Sequence, residues 1–330
     1  MESRTKRRLT PGELDALLRD SAGTGCRLEH ELTDGWFNTA YRVRLDDGRP
    51  AVVKLAPSSD APVLRHERGI LGTEAMVYRR LAALPDGAVP APELLHAGQE
   101  FIILSVLEGK PWDQVGRHLS PGTEPALRRE LGGITARLHT VAPADGRFGY
   151  PADASGLSAA DWHTAFTAMV EALLDDAERW RSPLDVRPSE LRTMVSEGGH
   201  ALAAVTEPRL VHFDLWPGNI FVHPGDGAGR ARITGVIDHE RAFWGDPAAE
   251  LVSLAFGGDA GPDGDFAAGY TEAGGDLDFT PALNHRLALY RLYLALLLVV
   301  ECAPRGYGGD HLAFCHRMLA DAVAGLRALG

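Results

Sequence analysis

Leu210-Val-His-Phe-Asp-Leu-Trp-Pro-Gly-Asn-Ile-Phe-Val222 sets His212, Asp214 and Asn219 between two apolar runs, Leu210-Val211 and Ile220-Phe221-Val222. Apolar flanks of that kind read as short buried strands, so the polar residues fall on a loop held from both sides. Pro217-Gly218 is a turn signal able to aim Asn219 back toward Asp214. The spacing H-x-D-x-x-x-x-N suits phosphoryl transfer, in which a carboxylate accepts the proton of an attacking hydroxyl and an amide oxygen a few residues on holds a metal ion. The competing reading is a plain turn, with Asp and Asn as ordinary turn formers. A hairpin is expected next, from Phe221-Val222 through the turn Pro224-Gly225-Asp226-Gly227 to Ala231–Val236, and Ile237-Asp238 then ends an apolar strand in an acid. A carboxylate there can chelate Mg²⁺ together with Asn219.

These segments, with Gly235-Val-Ile-Asp238 and Gly245-Asp-Pro247, resemble the aminoglycoside phosphotransferase and choline-kinase-like superfamily of small-molecule kinases. Asp214-Leu-Trp216 is most like its fructosamine-kinase branch. The resemblance runs along the chain and is most specific between Leu210 and Leu251. It implies an α+β, bilobal, protein-kinase-like fold: a small antiparallel-sheet N-terminal lobe plus one helix over 1–106, a hinge at about 104–109, and a larger, mainly helical lobe over 107–330. ATP would lie in the cleft with Mg²⁺. By the same resemblance Asp214 is the general base or the group that orients the acceptor hydroxyl, Asn219 and Asp238 hold the metal, and His212 anchors the loop. Phe213 stands where the superfamily usually has glycine, and Glu250 where it has aspartate. Asp246 is expected as a helix N-cap or a buried support of the loop.

The elements that must position these groups follow from local pattern. Thr10 with Glu13 reads as a capping box opening a helix over 11–19. Alternating runs at 27–32, 40–45 and 50–55, with Asp46-Asp-Gly48 between two of them, read as an antiparallel meander. Lys54 sits in Ala-Val-Val-Lys-Leu, where a buried ammonium needs an anion; it would meet the α- and β-phosphates and pair with an acid of the next helix, over 63–84. Of that helix's acids, Glu74 is expected as the partner and Glu67 as a solvated charge. The loop Asp34–Thr39 stands where the fold would cover phosphates: it has a single glycine, Gly35, and Asn38 and Thr39 could donate to phosphate oxygens. Strands at 93–96 and 101–106 lead to the hinge, where Ser105, Val106 or Leu107 would offer backbone groups to adenine. Helices are expected over 124–141, ending near a capping or core His139, from Ser158-Ala-Ala-Asp161 to about 181, and over 188–205, 280–302 and 310–329.

Bulk properties bound the partners. The 330 residues are 45% hydrophobic and 24% charged, with net charge −12. This fits a globular chain, speaks against a nucleic-acid binder and is compatible with a cationic ligand. Cys26, Cys302 and Cys315 are odd in number, with no C-x-x-C pair, which suggests a reducing, cytoplasmic setting and no zinc site. The start lacks an apolar signal core, and the run 292–300 reads as a buried helix rather than a membrane span. The expected function is an ATP-dependent O-phosphotransferase acting on an aminoglycoside-like or nucleoside-type antibiotic. The alternatives are a fructosamine kinase and a nucleotide-binding pseudokinase. Acceptor contacts are expected from 158–181, 256–265 and the last two helices, with Glu171, Asp175, Asp176, Asp259, Asp263 and Asp265 as candidate acids. Lysine is scarce (Lys6, Lys54 and Lys110), which makes a lysine in mid-strand conspicuous.

Overall fold

Thr10 begins the ordered architecture in the computed structural model, which describes residues 3–85, 87–116, 119, 122–225, 230–257 and 261–329. Its side chain accepts from the Glu13 N–H while the Glu13 carboxylate accepts from the Thr10 N–H, and helix α1 (Pro11–Ala22) follows. Strands β1 (Cys26–Leu32), β2 (Thr39–Leu45) and β3 (Pro50–Leu55) form the meander. Helix α2 (Ile70–Ala82) precedes β4 (Leu94–Ala97) and β5 (Phe101–Ser105), and the antiparallel sheet has the order β1-β2-β3-β5-β4. Strand alternation divides its two faces. Ala51, Val53, Leu55, Phe101 and Ile103 pack with Leu14 and Leu18 of α1, and Ile102 and Leu104 pack with Leu71, Ala75 and Tyr78 of α2. Lys54, between Val53 and Leu55, is therefore turned to the α2 face, where Glu74 lies. The sheet thus carries α1 on one side and α2 on the other.

The helix expected over 63–84 is shorter. Arg65–Glu67 forms a separate 3₁₀ turn, and Gly69 in the left-handed region (φ 77°) sets the start of α2. Glu67 is not the solvated charge anticipated. It is buried, accepts from the Leu64 N–H (2.7 Å) and pairs with Arg305. A buried carboxylate is tolerated because both a backbone donor and a guanidinium meet it.

The second half is mainly helical. It contains β6 (Lys110–Pro111), α3 (Trp112–Val115), α4 (Thr123–Leu138), β7 (Phe148–Gly149), β8 (Ser158–Ala159), α5 (Trp162–Trp180), α6 (Pro188–Glu197) and α7 (Gly199–Ala203). Strands β9 (Arg209–Val211), β10 (Ile220–His223), β11 (Arg232–Val236) and β12 (Phe243–Gly245) follow, then α8 (Glu250–Leu254), α9 (Asp265–Glu272), α10 (Pro281–Arg305) and α11 (Gly309–Arg327). Two small antiparallel sheets, β11-β10-β6 and β8-β7-β12-β9, hold the loop between β9 and β10 from both sides. The expected hairpin is β10–β11, whose turn residues Asp226 and Gly227 lie outside the described residues.

The capping box expected at Ser158 does not form. Ser158 pairs with Gly149 in β8, and Asp161 caps α5 instead. The helix expected over 188–205 divides at Gly198. Trp162, Phe166, Phe243, Tyr290 and Tyr293 form the aromatic centre of the core. Helix α10 is long and apolar enough to cross a membrane, but 83% of its apolar window is buried among the other elements, so its hydrophobicity is spent on the core.

Candidate active site

The β9–β10 loop is fixed by backbone hydrogen bonding to a single acid. The Glu250 carboxylate accepts the N–H of His212 (2.7 Å) and of Phe213 (3.0 Å), and Ser253 Oγ accepts that of Leu215 (3.1 Å). Burial by itself would raise the Glu250 carboxyl, but contact with His139 and the His212 N–H hold it below the usual range. His212 ties the loop to the next strand end: its Nε2–H donates to the Ile237 carbonyl (2.9 Å), leaving Nδ1 to accept the Asp214 N–H (3.2 Å). Asn219 Nδ2 donates to the Asp214 carbonyl (2.9 Å) and to its Oδ2 (3.2 Å), so loop and turn close on each other. Asp246 lies behind. It caps the turn at Ala248 (3.1 Å) and accepts from Arg286 (2.7 Å) and the Tyr290 hydroxyl (2.7 Å).

Phe213 shows how an aromatic occupies the glycine position. Its backbone is left-handed (φ 61°), and its buried ring packs on Phe243 (5.0 Å) and Tyr293 (5.7 Å). The strain is on the order of 1–2 kcal/mol, whereas emptying a buried Phe site costs about 3–5 kcal/mol. Packing wins. Phe213→Gly is accordingly expected to lower stability by about 2–4 kcal/mol in urea unfolding; an equally stable variant would mean the strain is as large as the packing.

Opposite this loop, Lys54 Nζ reaches Glu74 (2.7 Å), Glu240 (2.9 Å) and Asp238, and the three carboxylates offer oxygens within 4.8 Å of one another. Asp238 also has a left-handed backbone (φ 67°) and is the most exposed of the three acids, at 29% against 9% for Glu240 and 1% for Glu74. Burial works against the Lys54 charge, but Asp238, Glu240 and Glu74 together hold its pKa well above the usual value. Burial pushes up the Glu74 carboxyl against the pull of Lys54. For Asp238 the order reverses, and Lys54 outweighs burial to hold it low. Glu240 is pushed up to about 8, first by burial and then by Asp238. Asp214 is likewise raised by burial, with Arg241 opposing and Asp238 reinforcing.

Glu240 and Arg241 were not anticipated. Asn38 Nδ2 donates to Glu240 (2.5 Å), which joins the β1–β2 loop to the acid cluster. Arg241 pairs with Glu301 (3.0 Å), itself bound by Arg305, so the cation that moderates Asp214 is anchored in α10. The only signal for either was adjacency to Asp238, which does not distinguish a buried acid from a surface one.

Because native Glu240 keeps its proton to about 8 while an unfolded glutamate releases it near 4.5, the folded state binds more protons between those values. Stability of the ligand-free protein must then fall as pH rises through that window, at about 1.4 kcal/mol per pH unit where the difference is complete. Glu240→Gln is expected to flatten the fall. A Gln variant with the same pH profile would assign the effect elsewhere.

The remaining anticipated residues separate. Thr39 is buried with Oγ1 unpartnered, as is Asn38 Oδ1, while a Cβ at Gly35 would meet the Asn38 carbonyl oxygen at 3.8 Å, an ordinary contact. Ser105 is already engaged, its N–H donating to the Glu93 carbonyl (2.9 Å) and its Oγ accepting the Glu93 N–H (2.9 Å). Its N–H is thus used within the sheet, and of the three hinge candidates Val106 and Leu107 lie in the extended link to β6. Gly109 ends that link at φ 87°, where a Cβ would come within 2.4 Å of the Val222 carbonyl oxygen, so only glycine lets the link close onto β10.

The acids offered for an acceptor are largely paired. Glu171 binds Arg192 (2.8 Å), Asp176 accepts the Arg65 N–H (2.6 Å), Asp265 lies 3.5 Å from Arg129, and Asp259 lies outside the described residues. His139 ends α4, with Nδ1 at 2.7 Å from the Tyr270 hydroxyl.

The hard oxygen donors around Lys54 suit Mg²⁺. Three carboxylates gather around one ammonium with oxygens close enough to share an ion, and Asn219 stands on the adjoining loop.

Comparison with known proteins agrees with this geometry. A model of a phosphotransferase enzyme family matches residues 29–290. Similar solved structures include a candidate fructosamine-3-kinase from Thermobifida fusca, 20% identical over 96% of this chain and 98% of that one, with TM-score 0.65. A candidate aminoglycoside phosphotransferase from Ralstonia eutropha is 18% identical, with 98% of each chain covered and TM-score 0.65. A ternary complex of an aminoglycoside phosphotransferase with streptomycin and ATP is 16% identical over 98% of this chain and 97% of that one, with TM-score 0.57. The kinase-like fold is common to all three.

Proposed function

Since the chain belongs to the phosphotransferase enzyme family and is a small-molecule kinase, we propose that it moves the γ-phosphoryl group of ATP to a hydroxyl of an aminoglycoside-like or nucleoside-type antibiotic. The observation that carries the proposal is the pairing of Asp214 with Asn219 on one loop and of Lys54 with Glu74, Asp238 and Glu240 opposite. Phosphoryl transfer is governed by positioning and charge neutralisation, and these residues supply both.

In this mechanism Asp214 receives the acceptor hydroxyl as a hydrogen bond to its carboxylate and takes the proton as the oxygen attacks. Its raised pKa makes it a better base than an ordinary aspartate. Lys54, positioned by Glu74, neutralises phosphate oxygens. Asp238 and Asn219, with Glu240 beside them, would hold Mg²⁺, which when bound neutralises charge on the phosphate oxygens. Asn38, whose Nδ2 donates to Glu240, stands beside this chemistry, Thr39 pairs with Leu55 on the α1 face of the sheet, and Val106 or Leu107 offers the backbone edge for adenine. The net charge of −12 favours a cationic acceptor and gives no support to a nucleic-acid one. A cytoplasmic setting is part of the proposal, in keeping with the use of ATP and the free thiols.

One observation favours a second acceptor, a ketosamine. Trp216 directly follows Asp214-Leu215 and is 38% exposed, an aromatic surface beside the base that can stack on a sugar amine. Offering purified protein ATP, Mg²⁺ and each acceptor class while following ADP release separates the two. Turnover of an antibiotic upholds the proposal, and turnover of a fructosamine alone transfers it to the second acceptor. Nucleotide binding with no turnover on any acceptor supports a pseudokinase.

A further inference from the structure

Where α10 turns back into α11, two of the three cysteines meet a histidine. Cys302 Sγ, Cys315 Sγ and His311 Nε2 all lie within 4.8 Å of one another, and His311 Nε2 is 3.7 Å from Cys315 Sγ. His311 and Cys315 are four residues apart on α11, so one helical face presents both. Cys302 comes across from the last turns of α10, where its thiol donates to the Leu298 carbonyl (3.1 Å). The expectation of no zinc site rested on the absence of C-x-x-C spacing. Here an antiparallel helix pair, rather than a knuckle, brings the three side chains together.

The donor set is soft and mixed, two sulfurs and one imidazole nitrogen. Around a tetrahedral ion with metal–sulfur bonds of about 2.3 Å and metal–nitrogen bonds of about 2.0 Å, ligand atoms stand roughly 3.5–3.8 Å apart. The His311–Cys315 separation already matches, and Cys302 Sγ lies within 4.8 Å of both. Both thiols are buried, whereas His311 is only partly so, which leaves an approach from solvent. The carboxylates around Lys54 present oxygen alone and suit a hard ion, so the two clusters differ in the metal each selects.

We propose that Cys302, His311 and Cys315 form a three-ligand thiolate–imidazole site for a soft divalent cation, Zn²⁺ by chemical preference, with water at the fourth position. Binding releases the thiol protons, so affinity rises with pH. The site also touches the phosphate-covering loop. The His311 ring packs edge-on against Trp36 at 5.1 Å, and the Tyr307 hydroxyl donates to the Trp36 carbonyl (3.0 Å). Fixing His311 therefore alters the surroundings of an indole only two residues before Asn38.

Titrating the reduced, metal-free full chain with Co²⁺ tests this. A single equivalent is expected to produce thiolate-to-cobalt charge-transfer absorption that Zn²⁺ abolishes and excess Mg²⁺ does not, with a parallel change in Trp fluorescence that is lost in Trp36→Phe. Oxygen ligands at the Lys54 cluster cannot give that absorption, so the result is independent of the kinase mechanism. Cys302→Ser and Cys315→Ser should each remove the band. His311→Ala, partly exposed and the variant least able to disturb folding, should keep weaker absorption with affinity lower by at least the roughly 10–100-fold that losing an outer-shell partner costs. Absence of the band in the reduced wild type, or its survival in the Cys variants or at full affinity in His311→Ala, would overturn the proposal. So would thiol titration showing that Cys302 and Cys315 form a disulfide while the reduced chain takes up no Co²⁺.

Discussion

Replacing Asp214 by Asn is expected to lower the rate of phosphoryl transfer by about 10²–10⁴-fold, the range of a positioned general base, while ATP binds with little change. The substitution isolates the charge. An amide oxygen can still accept from Asn219, whose donations to the Asp214 carbonyl (2.9 Å) and side chain (3.2 Å) close the loop, and the Glu250 clamp on His212 and Phe213 does not involve the side chain at all. Burial disfavours the Asp214 anion in the ligand-free protein, so the neutral variant should melt at the same temperature or higher. The pH profile supplies a second check. With the carboxyl raised, the acid limb of wild-type turnover should lie above the ordinary aspartate range, and it should vanish in the variant. Steady-state kinetics with ATP binding measured separately reads all three. Unchanged turnover would remove Asp214 from the reaction; loss of ATP binding would show that it supports the cleft instead.

Individual elements were legible because they carry local signatures, the Thr10–Glu13 box, the Asp-Gly turn between β2 and β3, and apolar strands flanking a polar loop, whereas the fold class came with the family resemblance of the segments between Leu210 and Leu251. The same signatures erred where a tertiary partner decided. Ser158 looks like a cap, but β-pairing with Gly149 takes it, and Glu67 looks like a solvated helix charge until Arg305, far along the chain, is brought against it. For the candidate site, spacing placed Asp214 with Asn219, since both lie on one short loop, and strand alternation pointed Lys54 at α2. Glu240 escaped notice for a physical reason: whether an acid two residues after Asp238 is buried depends on how the 3₁₀ turn His239–Arg241 packs against α2. Side-chain type and spacing do not encode that packing. The Cys302–His311–Cys315 cluster is the same case, since its members adjoin only once α10 and α11 pair.

Asp238→Asn should separate function from stability. Asp238 terminates the β11 segment, where the Ile237 N–H donates to the Asn219 carbonyl (3.0 Å), so strand register sets the two proposed metal-binding residues side by side. Asn tolerates the left-handed backbone nearly as well as Asp, so the change removes charge without adding strain. In the ligand-free protein three carboxylates compete for one lysine, and deleting one relieves Glu240, whose raised pKa Asp238 helps to cause. The low Asp238 pKa marks its ionised form as stabilising, so the variant is expected to be somewhat less stable than wild type at neutral pH, with a weaker fall of stability between pH 4.5 and about 8 as Glu240 is relieved. Nucleotide binding should fall far more steeply. Loss of a direct metal ligand costs at least the ~10–100-fold that an outer-shell partner does, so the Mg²⁺-dependent part of ATP affinity should collapse while metal-independent binding persists. A loss of metal-dependent binding far larger than the loss of stability is what a site built for a cation predicts, because its acids are set for an ion and not only for Lys54. Calorimetric titration of ATP with and without Mg²⁺, beside urea unfolding across pH, reads both. Undiminished Mg²⁺-dependent binding would take Asp238 out of the metal site, and a large loss of stability would recast the acid cluster as a structural salt bridge to Lys54.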